Sequence, residues 1–152
     1  MGRILKLEPK DTNRCFGCGA SNEVGMKLAF DLDLDDRRTR GRFGLGPEFG
    51  GGGGFAHGGI IAVVLDEAMG KISRLDQERA VTAEVTIVYR KPIALNQEIL
   101  VEGWQTEENG RNRFRAAEIR DLQGNLLASS KGRFVIVAEE HFARANADQS
   151  NL

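Results

Sequence analysis

At 152 residues, with 41% apolar and 28% charged side chains and a formal net charge of −1, the chain has room for one domain with a packed core. The charge balance argues against a nucleic-acid partner, because the basic cluster Arg37, Arg38, Arg40 and Arg42 directly follows Asp31, Asp33, Asp35 and Asp36. The longest apolar run, Ile60 to Leu65, is too short to cross a bilayer and the start MGRILKLEPKD lacks an apolar leader segment, so a cytoplasmic location without a membrane partner is expected.

In chain order, the first chemical feature is the pair Cys15 and Cys18 in NRCFGCGASN. Zinc takes four ligands, a redox dithiol opens a helix after a strand, and the two histidines, His57 and His141, lack metal-pair spacing. The expectation is a turn built on Gly17 and Gly19, with no metal and no cofactor; only an oligomer would pool four cysteines. Met26, Leu28, Phe30, Leu32 and Leu34 then alternate with Lys27, Ala29, Asp31, Asp33 and Asp35, the period of a strand with one buried face. Thr39 to Leu45 reads as a weaker second strand, broken by Pro47 and by the five glycines Gly50 to Gly54, which read as a flexible lead. A helix follows His57. Val81, Ala83, Val85, Ile87 and Tyr89 alternate with Thr82, Glu84, Thr86 and Arg90 in the next strand, which Pro92 closes. Three more strands, over 98–107, 113–120 and 126–137, are joined by turns at Asn109-Gly110 and at 123–125. The tail over 139–152 is polar, with a short helical turn expected near 141–147, so one domain spans 1–152 with its core over about 15–138.

Strand, strand, helix and then four strands on short connections make an antiparallel sheet with one long helix, an α+β chain rather than alternating βα units. Ile60, Ile61, Val63, Val64, Leu65, Ala68, Met69 and Ile72 cover most of the helix circumference, and a helix apolar nearly all round is buried nearly all round. A curved antiparallel sheet wrapped around one central helix is the hotdog fold.

The stretches HGGIIAVVLDEAMG and AVTAEVTIVYRKPI, with CFGCG upstream and GNLLASSKGRFVIV near the end, make the chain resemble the PaaI-like branch of the hotdog acyl-CoA thioesterases. The resemblance covers about 15–137 and implies metal-free hydrolysis of a thioester. It implies Asp66 as general base or nucleophile, the Gly58 amide as oxyanion donor, His57 orienting the loop, and Thr82 holding the attacking water or the carboxylate. It also shows a departure: many relatives carry Asn or Gln several residues before the histidine, where this chain has glycine.

Physical chemistry supports these roles separately. A helix N-terminus offers unpaired N–H groups at the positive end of the helix dipole, and Gly58 and Gly59 let a carbonyl approach the backbone closely. Desolvation of Asp66 in an apolar helix would raise its pKa and its basicity. Each residue also has a plainer reading: His57 as a helix cap, Thr82 as an ordinary strand residue, and Glu67 as a rival to Asp66 that only the resemblance sets aside. Eight residues separate Gly58 from Asp66, about 12 Å along a helix at 1.5 Å per residue, too far to act on one carbonyl. If both act, two chains share the site, in a homodimer with antiparallel helices that could pair again into a homotetramer. Arg90 and Lys131 are candidate contacts for the phosphates of CoA.

The expected function is hydrolysis of a small aryl- or short- to medium-chain acyl-CoA to free acid and CoA. The alternative is a non-catalytic acyl-CoA-binding or sensing hotdog domain. A hotdog hydratase, which needs Asp and His poised together, fits less well, because nine residues separate His57 from Asp66.

Overall fold

The computed structural model describes residues 2–149. The described residues fold into seven strands and two α-helices: β1 (Ile4–Leu7), β2 (Phe30–Asp33), β3 (Arg38–Gly44), α1 (Gly58–Gly70), β4 (Ala80–Tyr89), β5 (Glu98–Asn109), β6 (Asn112–Arg120), β7 (Leu126–Ile136) and α2 (Glu139–Gln149). All pairings between strands are antiparallel, in one sheet of order β1-β2-β3-β5-β6-β7-β4. With the 3-10 turn Lys71–Leu75 that continues α1, the helix runs over 58–75 and packs on the sheet, so the fold is the hotdog arrangement expected.

The expected alternation holds for burial over 26–32, where Met26, Leu28, Phe30 and Leu32 are all in the core, and stops at Leu34, which is only half-buried. The ladder itself starts only at Phe30, because Met26 and Leu28 donate their amides to the Phe16 and Gly17 carbonyls and Lys27 turns to φ 51° between them. The outward face of this strand is not uniformly exposed either. Asp33 is buried, paired with Arg40 and accepting from the Asp35 and Asp36 amides, contacts that hold its carboxyl below the ordinary range. Strand β1, outside the expected 15–138 core, pairs with β2; its four residues Ile-Leu-Lys-Leu have no alternation to reveal them, and the strand exists through that pairing. In the tail, the expected helical turn is part of α2, and 150–152 lie outside the described residues.

No residue of α1 from Ile60 to Gly70 is fully exposed, and Val64, Leu65, Ala68 and Met69 are wholly buried. Met69 is a core residue whose sulfur meets the Ser130 hydroxyl. Two inward-facing polar groups dock the C-terminal half of the helix onto the sheet. The Thr39 hydroxyl donates to the Ala68 carbonyl at 2.6 Å, and the Arg115 guanidinium donates to the Met69 carbonyl at 3.2 Å. Both contacts give a buried helix carbonyl a side-chain donor from the sheet.

Candidate active site

The glycine run is a hydrogen-bonded double turn, a more ordered structure than the flexible lead that its composition suggests. The Gly51 amide donates to Phe55 O at 2.7 Å, Ala56 N to Ile93 O, and His57 N to Phe49 O. Gly53 and Gly54 adopt φ of 69° and 80°, a left-handed conformation that side chains resist, so glycine is needed at those two positions.

These contacts deliver His57 to the N-cap of α1, where its Nδ1 accepts from the Gly59 amide at 2.9 Å. Nδ1 thus carries a lone pair, and the imidazole proton of the neutral ring belongs to Nε2. The contact consumes the Gly59 N–H as an anion donor. It leaves Gly58 N–H exposed, with no acceptor among the described residues. On the other side of that residue, the Tyr89 hydroxyl donates to Gly58 O at 2.8 Å, fixing the peptide that follows. In the sequence Tyr89 is only a strand residue, because nothing local pairs it with a position thirty-one residues earlier.

Two turns further along the helix, Asp66 is half-buried and accepts from the Thr82 hydroxyl at 2.8 Å. Strict alternation would put Thr82 on the opposite face of β4 from Val85 and Ile87. A β-bulge corrects this: Thr82 pairs with Phe134 and Glu84 with Arg133, so Ala83 is the extra residue and Thr82 joins Val85 and Ile87 on the helix side. Ala62, Val63, Asp66, Thr82, Val85 and Ile87 line a shallow groove of about 310 Å³, in which Asp66 is the one ionisable group. Desolvation raises the Asp66 pKa above its ordinary 3.8; the Thr82 hydroxyl works against the rise and the Glu67 charge adds to it.

Glu67, the rival carboxylate, faces elsewhere. Its Oε1 accepts from the Cys15 thiol at 3.5 Å and its Oε2 lies 3.5 Å from Lys71 Nζ, under the loop that carries both cysteines. Buried Cys18 in that loop has its thiol pushed up to about 11, chiefly by desolvation. Asp66 and Glu67 thus face different surroundings, because adjacent helical residues point about 100° apart. Of the two candidate phosphate contacts, Arg90 is exposed just after Tyr89, whereas Lys131 pairs with Thr86 and Ala116 on the sheet face away from α1. Within one chain, Lys131 does not join Asp66 and Thr82.

A half-buried carboxylate held by a hydroxyl beside an apolar groove, and a bare amide at the start of the same helix, suit acyl transfer. The sequence pattern of the thioesterase superfamily matches residues 53–128, half of the chain, and takes in His57, Gly58, Asp66 and Thr82. The chain belongs to that superfamily. Within the family it is 30% identical over 104 residues to the acyl-coenzyme A thioesterase THEM4 of Mus musculus, covering 68% of this chain and 45% of that protein. Over 104 residues it is also 29% identical to the Xenopus laevis protein of the same name, covering 68% and 47%. The chain thus spans about half the length of these curated relatives. Among solved structures, a thioesterase superfamily protein matches with a TM-score of 0.74 at 25% identity, over 80% of this chain and 60% of that one. A Bacillus halodurans protein crystallised with CoA matches with a TM-score of 0.61 at 27% identity, over 69% and 71%.

Proposed function

We propose that this chain hydrolyses an acyl-CoA thioester of the small aryl or short- to medium-chain class, at a site shared by two copies of the chain. The observation that carries the reading is the separation of the two reactive features. Asp66 and the bare Gly58 amide lie about 12 Å apart along one helix, so a second, antiparallel copy is what brings an Asp66 to a Gly58. The edge position of β4 supports such pairing. It leaves a long ladder edge unpaired, and beside it Phe55, Val81, Val88 and Tyr89 are exposed. The THEM4 relatives carry the name of this activity, and the Bacillus halodurans neighbour was crystallised with CoA.

In the proposed reaction, the acyl group lies in the groove beside Val63, Val85 and Ile87, and Arg90 meets a phosphate of CoA. Thr82 aligns the Asp66 carboxylate, which takes a proton from water as the water oxygen attacks the thioester carbonyl. The Gly58 amide of the other copy donates to the developing oxyanion, and His57, by occupying Gly59 N–H, holds that turn in place. Collapse of the intermediate breaks the C–S bond, and the CoA sulfur leaves with the proton. Direct attack by Asp66 on the carbonyl uses the same groups: the C–S bond breaks, CoA leaves as the thiolate and takes up a proton, and water opens the resulting anhydride to the free acid and the Asp66 carboxylate.

The first test is release of free thiol from a panel of aryl- and alkyl-CoAs. Turnover by the wild type is expected; binding of acyl-CoA without thiol release from any member would transfer the assignment to an acyl-CoA-binding domain, the reading favoured by glycine in place of the relatives' Asn or Gln. Heterodimers of a Gly58-region variant with an Asp66 variant are expected to recover one intact site, about half the wild-type activity per dimer, and inactive heterodimers would count against the shared site.

A pH profile tests the Asp66–Thr82 pair. Because desolvation raises the Asp66 pKa, the acid limb of kcat/KM should lie above the ordinary carboxylate value of 3.8. Thr82→Val removes the hydrogen bond that favours the charged form and should move that limb to still higher pH. An unmoved limb would show that another group sets it.

A further inference from the structure

We propose that Cys15, Cys18 and Glu67 form a binding site for a zinc ion, separate from the groove at Asp66. The two cysteine Sγ atoms and a Glu67 carboxylate oxygen all lie within 4.8 Å of one another. Ligands at 2.3 Å for sulfur and about 2.0 to 2.2 Å for oxygen around one tetrahedral centre stand roughly 3.5 to 3.8 Å apart, so the trio needs only a small contraction to close on the ion. The sequence offered two ligands at Cys-x-x-Cys spacing and no sign of a third. The third comes from the helix, forty-nine residues beyond Cys18.

The surroundings match the demands of such a site. Gly17 brings the loop against the helix so closely that a Cβ there would meet the Glu67 Cγ at 2.5 Å. The Asn13 amide donates to Cys18 Sγ at 3.7 Å, and its carbonyl oxygen accepts from the Cys15 amide at 3.0 Å, so one side chain orients both cysteines. Charge is balanced in both states. Without metal, two thiols accompany the Glu67–Lys71 ion pair; with metal, the dication replaces the two thiol protons, which pass to solvent, and Lys71 neutralises the remaining negative charge. A cavity of about 330 Å³, lined in part by Lys10, Asn13, Cys18 and Lys71, reaches the cluster from the surface and provides an entry path. Three protein ligands leave the fourth tetrahedral position to water. The ion would tie the long segment between β1 and β2 more firmly to the helical turn next to Asp66, which the Cys15 thiol already meets through Glu67.

The test uses the full chain, reduced and stripped with a chelator, then titrated with cobalt(II) or zinc(II) alone. One equivalent of cobalt is expected to produce a thiolate-to-metal charge-transfer band that zinc abolishes, and zinc is expected to raise the thermal midpoint. Cys15→Ser, at a half-exposed position, should lose the band while keeping the far-ultraviolet dichroism of the folded chain. Glu67→Gln should weaken zinc binding, and Asn13→Ala should do so by about 10- to 100-fold. Cys18 is buried, so Cys18→Ser is secondary evidence and Cys15→Ser decides. No stoichiometric cobalt uptake by the reduced wild type, or uptake unchanged in folded Cys15→Ser, would overturn the site and leave the trio as a packing contact.

Discussion

Asp66→Asn is expected to lower kcat/KM for thioester hydrolysis by about 10²- to 10⁴-fold, the range that a positioned general base supplies, while acyl-CoA binding is retained. The amide keeps the shape of the carboxylate and can still accept from the Thr82 hydroxyl, so the groove should be preserved. What is lost is the charged form that takes the proton. Stability moves the other way. The folded-state pKa of Asp66 lies above its unfolded value near 3.8, so its contribution to stability is present below that value and lost as pH rises through the folded pKa. At neutral pH the variant should therefore unfold at the same denaturant concentration as the wild type or a higher one. Free-thiol release measured beside a denaturant melt separates the two effects. Activity within tenfold of wild type would remove Asp66 from the reaction and, with it, the proposed mechanism.

The second large effect is on the fold. Arg115→Ala is expected to cost about 3 to 5 kcal/mol of unfolding free energy, read from urea melts. Arg115 is 1% exposed, beneath the C-terminal end of α1. Its Nη1 donates to Met69 O and, at 2.8 Å, to Ser73 Oγ; its Nε donates to Gln105 Oε1; and its guanidinium carbon lies 4.9 Å from the centre of the Phe134 ring. Burial brings its pKa down to about 10, still well above neutrality, so the charge is kept and stabilised by the helix C-terminus and the ring face. Truncation leaves a cavity, takes one donor from the buried Met69 carbonyl and removes the partner of the Ser73 hydroxyl. Arg115→Met restores most of the volume but none of the hydrogen bonds, so it should recover part of the loss. A cost below about 1 kcal/mol for Arg115→Ala would show that the helix end is held mainly by its apolar contacts.

Much of this molecule is readable from neighbours in sequence. The apolar alternation of β4, the glycine turns that separate β5, β6 and β7, and the apolar circumference of α1 are local signals, and each of these elements forms within a few residues of its expected place. The antiparallel sheet with one central helix follows from their order, and the helical rise alone separates Gly58 from Asp66. Other features arise from contacts between distant segments, which no local period encodes. A bulge set by pairing with β7 turns Thr82 toward Asp66, against the alternation of its own strand. The cysteine loop claims Glu67 and leaves Asp66 to the groove, although both are carboxylates on one helix. Tyr89 reaches back to Gly58, β1 is a strand because β2 accepts it, and Arg115, whose residue type usually faces water, lies in the core, where it donates to the Met69 carbonyl and the Ser73 hydroxyl. Composition and periodicity determined the elements and the reactive residue types; the three-dimensional path of the backbone decided which of those residues meet.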